Sequence, residues 1–107
     1  MHITKMHGLG NDFIVIEGRV DDASALARAL CPRRLAVGAD GLLLVEPSKR
    51  ADVRMRIINA DGSEAEMCGN GVRCFARYVY DRGIVKKEEM EIETLSGVVR
   101  PRLIVEN

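Results

Sequence analysis

The chain has 107 residues, which fits one domain and is long enough to bury a hydrophobic core. Sixteen basic and sixteen acidic residues cancel, and the aromatic residues are only two Tyr and two Phe, so neither charge nor base stacking indicates a nucleic-acid partner. No apolar run approaches the roughly 20 residues that cross a bilayer, and the start M-H-I-T-K-M-H lacks the apolar region of a signal peptide. We therefore predict no membrane contact.

The first half of the chain predicts the order strand, strand, helix, strand, strand. Residues 2–7 and Phe13–Glu17 are typical of two strands around the glycine-rich turn G-L-G-N-D. A short helix, A-L-A-R-A-L, follows candidate N-caps and ends before Pro32. Leu42–Val45 is an apolar run of strand length, and Val53–Asn59 alternates as a strand with one buried face does.

The second half predicts the main helix and two further strands. Apolar residues at the spacing i, i+3, i+4, i+7 place this helix over Gly69–Arg82, with Gly83 just beyond its C-cap. Met90–Leu95 and Val98–Val105 indicate a hairpin. The predicted fold class is α+β, with a curved, mostly antiparallel sheet wrapped around one central helix. Because the chain stops within a predicted strand, we expect residues 1–107 to be half of a longer protein.

Cys68 lies at or just before the N-cap of the main helix, in the stretch C-G-N-G. Unpaired amides and the helix dipole at this end favour a thiolate. Gly69 and Gly71 lack the β-carbons that would keep a ligand from the backbone, so a carboxylate could bind the amides there, and Asn70 adds a side-chain amide. An inert, buried cysteine behind an ordinary helix-entry turn is the alternative that spacing alone leaves open.

Other polar residues and cysteines have a structural and a functional interpretation. Asn11 either holds a ligand or belongs to a turn that glycine geometry requires. Asn59 ends a strand before Asp-Gly, where it either forms an Asx turn or contacts a substrate. Cys74 lies about 240° around the helix from Cys68, so we expect it, like Cys31, to fill the core. Three cysteines without a CxxC pair predict free thiols in a cytoplasmic protein and no metal site.

Three motifs, in this order, resemble the N-terminal half of the diaminopimelate epimerase family: K-M-H-G-L-G-N-D-F (5–13), N-A-D-G-S-E (59–64) and C-G-N-G-V-R-C-F-A-R (68–77). The resemblance implies two similar α/β halves, each a sheet curled around a helix, with the active site in the cleft between them. It also implies a cofactor-independent enzyme of lysine and peptidoglycan precursor synthesis that interconverts LL- and meso-diaminopimelate. Cys68 would then be one of two acid/base cysteines, and the positions that match substrate-binding ones are Asn11, Asn59, Gly69 and Asn70.

The resemblance also sets the expected partners, and one position departs from it. Gly41 stands where some members of the family place a glutamine, so this position can offer only backbone. The implied partners are the small-molecule substrate and a C-terminal half, and a homodimer is left open. Two alternatives stay under consideration: another amino-acid racemase or isomerase of the same fold, and a non-catalytic module that binds a carboxylate.

Overall fold

Seven strands and two helices follow one another in the residues that the computed structural model describes, 2–7, 10–32, 39–66 and 68–103. The elements are β1 (His2–His7), β2 (Asp12–Glu17), α1 (Ala23–Leu30), β3 (Gly41–Glu46), β4 (Val53–Asn59), β5 (Glu64–Ala65), α2 (Gly69–Asp81), β6 (Ile92–Thr94) and β7 (Gly97–Val99). The predicted order is confirmed. The two-residue strand β5 is an addition, too short to carry a pattern in the sequence.

The strands form one sheet in the order β1-β2-β3-β4-β6-β7, and β5 pairs with β4 near the end opposite to β6. The pairs β2–β3 and β4–β6 are parallel and the other four are antiparallel, so the prediction of an α+β fold with a curved, mostly antiparallel sheet is confirmed. Parallel neighbours need a long crossover. Here α1 lies between β2 and β3 in the chain, and α2 lies between β4 and β6.

Both faces of the central strands are covered. Phe13 and Val15 of β2 belong to the core that contains α2, whereas Ile14 and Ile16 belong to the core that contains α1. Because each face packs against a helix, β2 is buried from Phe13 to Ile16 without the alternation that a half-exposed strand shows. The sequence predicted a sheet around one main helix; the structure adds α1 as a second layer on the opposite face.

The two helices begin and end at residues that local chemistry explains. Asp22 caps α1 by accepting a hydrogen bond from the amide of Ala25 at 3.0 Å. Gly83 follows the end of α2 with φ +73°, the left-handed conformation that was predicted for it. Among the described residues no helix has the length and apolarity required to cross a membrane.

The C-terminal hairpin is shorter than predicted. Its regular strands are β6 and β7, and the ladder loses regularity at Pro101, which has no amide to donate. Pairing nevertheless continues irregularly, because the amide of Met90 donates to the carbonyl of Pro101 at 3.2 Å. The end of the predicted strand, 104–105, lies outside the described residues.

Candidate active site

The predicted site residues gather at one end of the sheet. Phe13, Gly41 and Asn59 are Cα partners in a single row across β2, β3 and β4. Asn11 lies two residues before Phe13, in the segment that leads into β2. The row therefore places the segment that contains Asn11 and the strand end at Asn59 at the same edge of the fold, although the two residues are far apart in the chain.

The first turn of α2 packs on the next row of residues along the same face of the sheet. A β-carbon built on Gly71 would lie 3.4 Å from Cδ2 of Leu43, 3.7 Å from Cδ1 of Ile57 and 3.5 Å from the β-carbon of Cys68. Leu43 and Ile57 are paired in register and belong to the core under α2. That row is two residues, or about 7 Å, along the strands from the row that contains Asn59. The helix start and this end of the sheet thus lie close together.

Cys68 is the N-cap of α2, as predicted. Its backbone is extended (φ −142°, ψ 120°), its carbonyl accepts the first intrahelical bond from the amide of Val72 at 2.9 Å, and its side chain makes no capping hydrogen bond. The residue is half-buried, and its thiol is a free thiol. The first turn of α2 contains no acidic residue, so the helix itself does not neutralise the positive end of its dipole. An anion from outside can do so.

The two glycines of the helix start have different surroundings, which corrects one expectation. Gly71 was expected to leave room for a ligand, but its missing β-carbon points to the core below α2. Among the described residues, and apart from its chain neighbours and its own helix backbone, a β-carbon on Gly69 would meet nothing within 4 Å, and this residue is exposed. Gly69 is therefore the glycine that opens the helix start to an incoming group.

Asn11 and Asn70 are brought together by the fold. Nδ2 of Asn70 donates to Oδ1 of Asn11 at 2.8 Å, which joins the segment before β2 to the first turn of α2. Nη1 of Arg73 in turn donates to Oδ1 of Asn70 at 3.1 Å. No role was predicted for Arg73 from the sequence. Its position three residues after Asn70 on a helix is the signal that could have linked the two.

The segment before β2 is held by a second set of polar contacts. Nδ1 of His7 lies 2.5 Å from Oδ1 of Asp12, across the glycine-rich turn. The amide of Asp12 donates to Oδ2 of Asp40 at 2.7 Å, and the amide of Asp40 donates to the carbonyl of Asp12 at 2.8 Å. These contacts tie β1, β2 and the start of β3 together on either side of Asn11 and so restrict where that residue can lie.

Asn59 has a demonstrated structural role at the end of β4. Its Nδ2 donates to Oγ of Ser63 at 3.0 Å, and its amide donates to the carbonyl of Ser63 at 2.7 Å. The turn closes at Gly62, which has φ +92°. Asn59 therefore takes part in this turn, but the Asx turn itself is formed by Asp61, whose Oδ1 accepts a hydrogen bond from the amide of Ser63 at 2.9 Å. Contact of Asn59 with a substrate stays a prediction. The side chain is exposed on the α2 face of the sheet, where a substrate could reach it.

Gly41 has no space for a side chain. A β-carbon there would lie 2.8 Å from the carbonyl oxygen of Ile58 on the neighbouring strand. The position is buried and lies in the same row as Asn59. It can therefore contribute only backbone to the site, as the sequence predicted.

Cys31 and Cys74 fill the core, as predicted. Both are buried, and burial raises the pKa of each thiol above its ordinary value. For Cys74 the electrostatic interaction with Cys68 adds to this effect. A thiol that stays protonated among apolar residues is poorly suited to proton abstraction, which leaves Cys68 as the candidate base. The described part of the chain contains no group of three or more His, Cys, Asp or Glu side chains that could hold a metal ion.

The far end of α2 is tied to the sheet. The hydroxyl of Tyr78 donates to Oε2 of Glu17 at the end of β2, and Nε of Arg82 donates to the same oxygen at 2.9 Å. The bond from Tyr78, followed by the effects of Arg82, holds the pKa of Glu17 below its ordinary value, while burial raises the pKa of Tyr78. Because α2 is fixed at this end and packed along its length, Cys68 stands at the end of a rigid element.

Comparison with known proteins identifies the family. A profile of the family described as Diaminopimelate epimerase matches residues 3–107. A protein of that name from Caldanaerobacter subterraneus subsp. tengcongensis is 67% identical over 108 residues, covering 100% of this chain. Another from Moorella thermoacetica is 57% identical over 110 residues, covering 99% of it. The chain spans 39% of the length of each of these two relatives.

Solved structures show the same fold. A Bacillus anthracis phenazine biosynthesis protein of the PhzF family has a TM-score of 0.73 at 24% identity, covering 99% of this chain and 36% of that one. A protein from Agrobacterium radiobacter K84, described as a probable proline racemase, has a TM-score of 0.74 at 21% identity, covering 92% of this chain and 36% of that one. At these identities the likeness concerns the fold alone, and it confirms the predicted fold.

Proposed function

The chain belongs to the diaminopimelate epimerase family, and from that premise we propose that it is the N-terminal half of an enzyme that interconverts LL- and meso-diaminopimelate without a cofactor. In this proposal residues 1–107 hold one of two acid/base groups and part of the substrate site. A C-terminal half, the partner of this chain, holds the rest. The observation that carries the proposal is the half-buried thiol of Cys68 at the start of α2, beside the Asn11–Asn70 pair.

The chemistry explains why two halves are needed. Inverting a Cα centre requires that a base remove the proton from one face and that an acid deliver a proton to the other. One side chain cannot stand on both faces. Cys68 as a thiolate would accept the α-proton, and a thiol from the other half would donate its proton to the opposite face, so that the two cysteines exchange roles after each turnover.

The helix start offers what a weakly acidic α-proton needs. In the proposal, the substrate α-carboxylate binds the amides of Gly69 and Asn70, at the end of the helix that favours anions. Gly69 leaves the approach open, because no described residue beyond its own helix turn comes within 4 Å of the place its β-carbon would take. Asn11 and Asn59 contact the remaining polar groups of the substrate. Closing a second half over this open sheet end would exclude water and strengthen these interactions.

Location and assembly follow from the same proposal. The three free thiols fit the reducing cytoplasm, where the enzyme would serve lysine and peptidoglycan precursor synthesis. The C-terminal half is the partner that the proposal requires. A homodimer is the further assembly that the resemblance leaves open, and the mass of the complete enzyme in solution tests for it.

The proposal is tested with this chain fused to the segment of the Caldanaerobacter relative that follows the matched region, hereafter the joined enzyme. We expect the joined enzyme to convert LL- to meso-diaminopimelate and the 107-residue chain alone to show no conversion, both measured by chromatographic separation of the isomers. Cys68→Ala should lower kcat by about 10³-fold or more, since it removes one acid/base group. The matched control, Cys74→Ala, should retain turnover within a few-fold. Near-normal turnover by Cys68→Ala would defeat the assignment.

The two alternatives make different predictions. Another racemase or isomerase would turn over a different amino acid, so the joined enzyme is assayed with proline and other α-amino acids beside diaminopimelate. A non-catalytic carboxylate-binding module would leave Cys68 inert. In the proposal, iodoacetamide modifies Cys68 rapidly and diaminopimelate slows the reaction. Slow modification that is unaffected by diaminopimelate would favour the binding module.

A further inference from the structure

Arg73 is a cation beside the candidate site to which the proposed function gives no task. Its side chain is exposed, and its Nη1 donates to Oδ1 of Asn70 at 3.1 Å. Within the described ranges Arg73 has no carboxylate partner. Arg77, one turn later on the same helix, differs in this respect, because its Nε lies 3.0 Å from Oδ2 of Asp81. Arg73 therefore directs its charge to a side-chain amide of the site rather than to an acid.

This contact determines the direction of the amide pair. A carboxamide can donate or accept, so the Asn11–Asn70 pair alone could be arranged in either direction. A guanidinium can only donate. Once Arg73 donates to Oδ1 of Asn70, the nitrogen of Asn70 must face Asn11, and Asn11 accepts through its oxygen, as the 2.8 Å contact shows. The chain of hydrogen bonds then ends in the amide nitrogen of Asn11, which is a donor.

Whether that last group donates or accepts a hydrogen bond matters for an anionic ligand. A carboxylate accepts hydrogen bonds and does not donate them. If the pair were reversed, Asn11 would present its carbonyl oxygen to a carboxylate, and two acceptors would face each other. Resting on the proposed function, we propose that Arg73 is a positioning residue, whose guanidinium orients Asn70 and Asn11 so that Asn11 presents N–H donors to a substrate carboxylate.

The test uses the joined enzyme with Arg73→Met, which keeps an unbranched, flexible side chain and removes its donors. We expect KM for LL-diaminopimelate to rise about tenfold, the size of one lost charged hydrogen bond, with kcat within about twofold. Arg73→Lys, which can still donate to Asn70, should restore KM to within about threefold of the original value. Arg77→Met is the matched control for loss of a positive charge on α2, and its KM should stay within about twofold.

A second measurement separates orientation from simple charge attraction. In an Asn11→Ala background the hydrogen-bond chain lacks the Asn11 amide that would contact the substrate, so Arg73→Met should raise KM no further. If Arg73→Met still raises KM tenfold in the Asn11→Ala background, Arg73 acts by long-range attraction and the inference is overturned. An unchanged KM in Arg73→Met alone, or an equal rise of KM in Arg77→Met, would also overturn it. If the unsubstituted joined enzyme does not epimerise diaminopimelate, the proposed function fails instead, so the two failures are distinct.

Discussion

The packing of the start of α2 predicts that Gly71→Ala stabilises the protein. The new methyl group would lie 3.4 Å from Leu43 and 3.7 Å from Ile57, which are ordinary van der Waals distances, and Gly71 is not among the glycines with positive φ. Replacing glycine by alanine at such a position stabilises by about 0.4–1 kcal/mol. With an unfolding entropy of about 2.1 cal/mol/K per residue over 107 residues, Tm should rise by roughly 2–4 °C.

Thermal unfolding of the chain followed by circular dichroism measures this shift. Gly69→Ala is the matched variant, since its methyl group would project into open space, and its Tm should change by less than about 2 °C. In the joined enzyme, however, Gly69→Ala should raise KM about tenfold, because the methyl group would obstruct the approach of a carboxylate to the helix amides. A lower Tm for Gly71→Ala would refute the packing of α2 on the Leu43–Ile57 row. An unchanged KM for Gly69→Ala would refute the anion site.

Three further substitutions test the fold around the site. Gly41→Ala should lower stability by about 1–3 kcal/mol, because its β-carbon would lie 2.8 Å from the carbonyl oxygen of Ile58; an unchanged Tm would contradict the close approach of β3 and β4. Phe75→Ala, at a fully buried position of α2, should cost about 3–5 kcal/mol in urea unfolding, and a loss below about 1 kcal/mol would show that this side chain is not part of the core. The hydrogen bond from Tyr78 holds the pKa of Glu17 below its ordinary value of 4.5. The ionised Glu17 therefore contributes stability that is fully present above about pH 4.5 and is lost as the pH falls through the lower pKa of the folded state. Glu17→Gln should therefore reduce the loss of Tm between pH 4.5 and pH 3. An equal decrease of Tm over this range in the variant and the unsubstituted protein would contradict the contact.

Local patterns in the chain were sufficient for most of its secondary structure. The apolar spacing of α2, the alternation along β4 and the left-handed glycine after the helix depend on residues that are neighbours in sequence, and the structure confirms each of them. The cap position of Cys68 followed from the same local information. The ends of the hairpin did not, because they depend on where the ladder meets Pro101.

The placement of site residues beside one another required the fold. Asn11 and Asn70 are 59 residues apart in the chain, and their hydrogen bond depends on α2 packing across β2 and β3. The parallel pairing of β2 with β3 sets the row that ends at Asn59. The identity of each residue was visible, but the register that joins them was not.

The sequence by itself therefore determined the two helices and the order of the longer strands, the thiol at the start of α2 and the resemblance that names its family, since these depend on neighbouring residues and on recognisable motifs. Only the tertiary structure decided that Gly71 faces the core while Gly69 faces open space, and that Arg73 donates to Asn70. The physical reason is that a local pattern specifies a helix and its apolar face, whereas the surroundings of each side chain depend on which distant strand packs beneath that face.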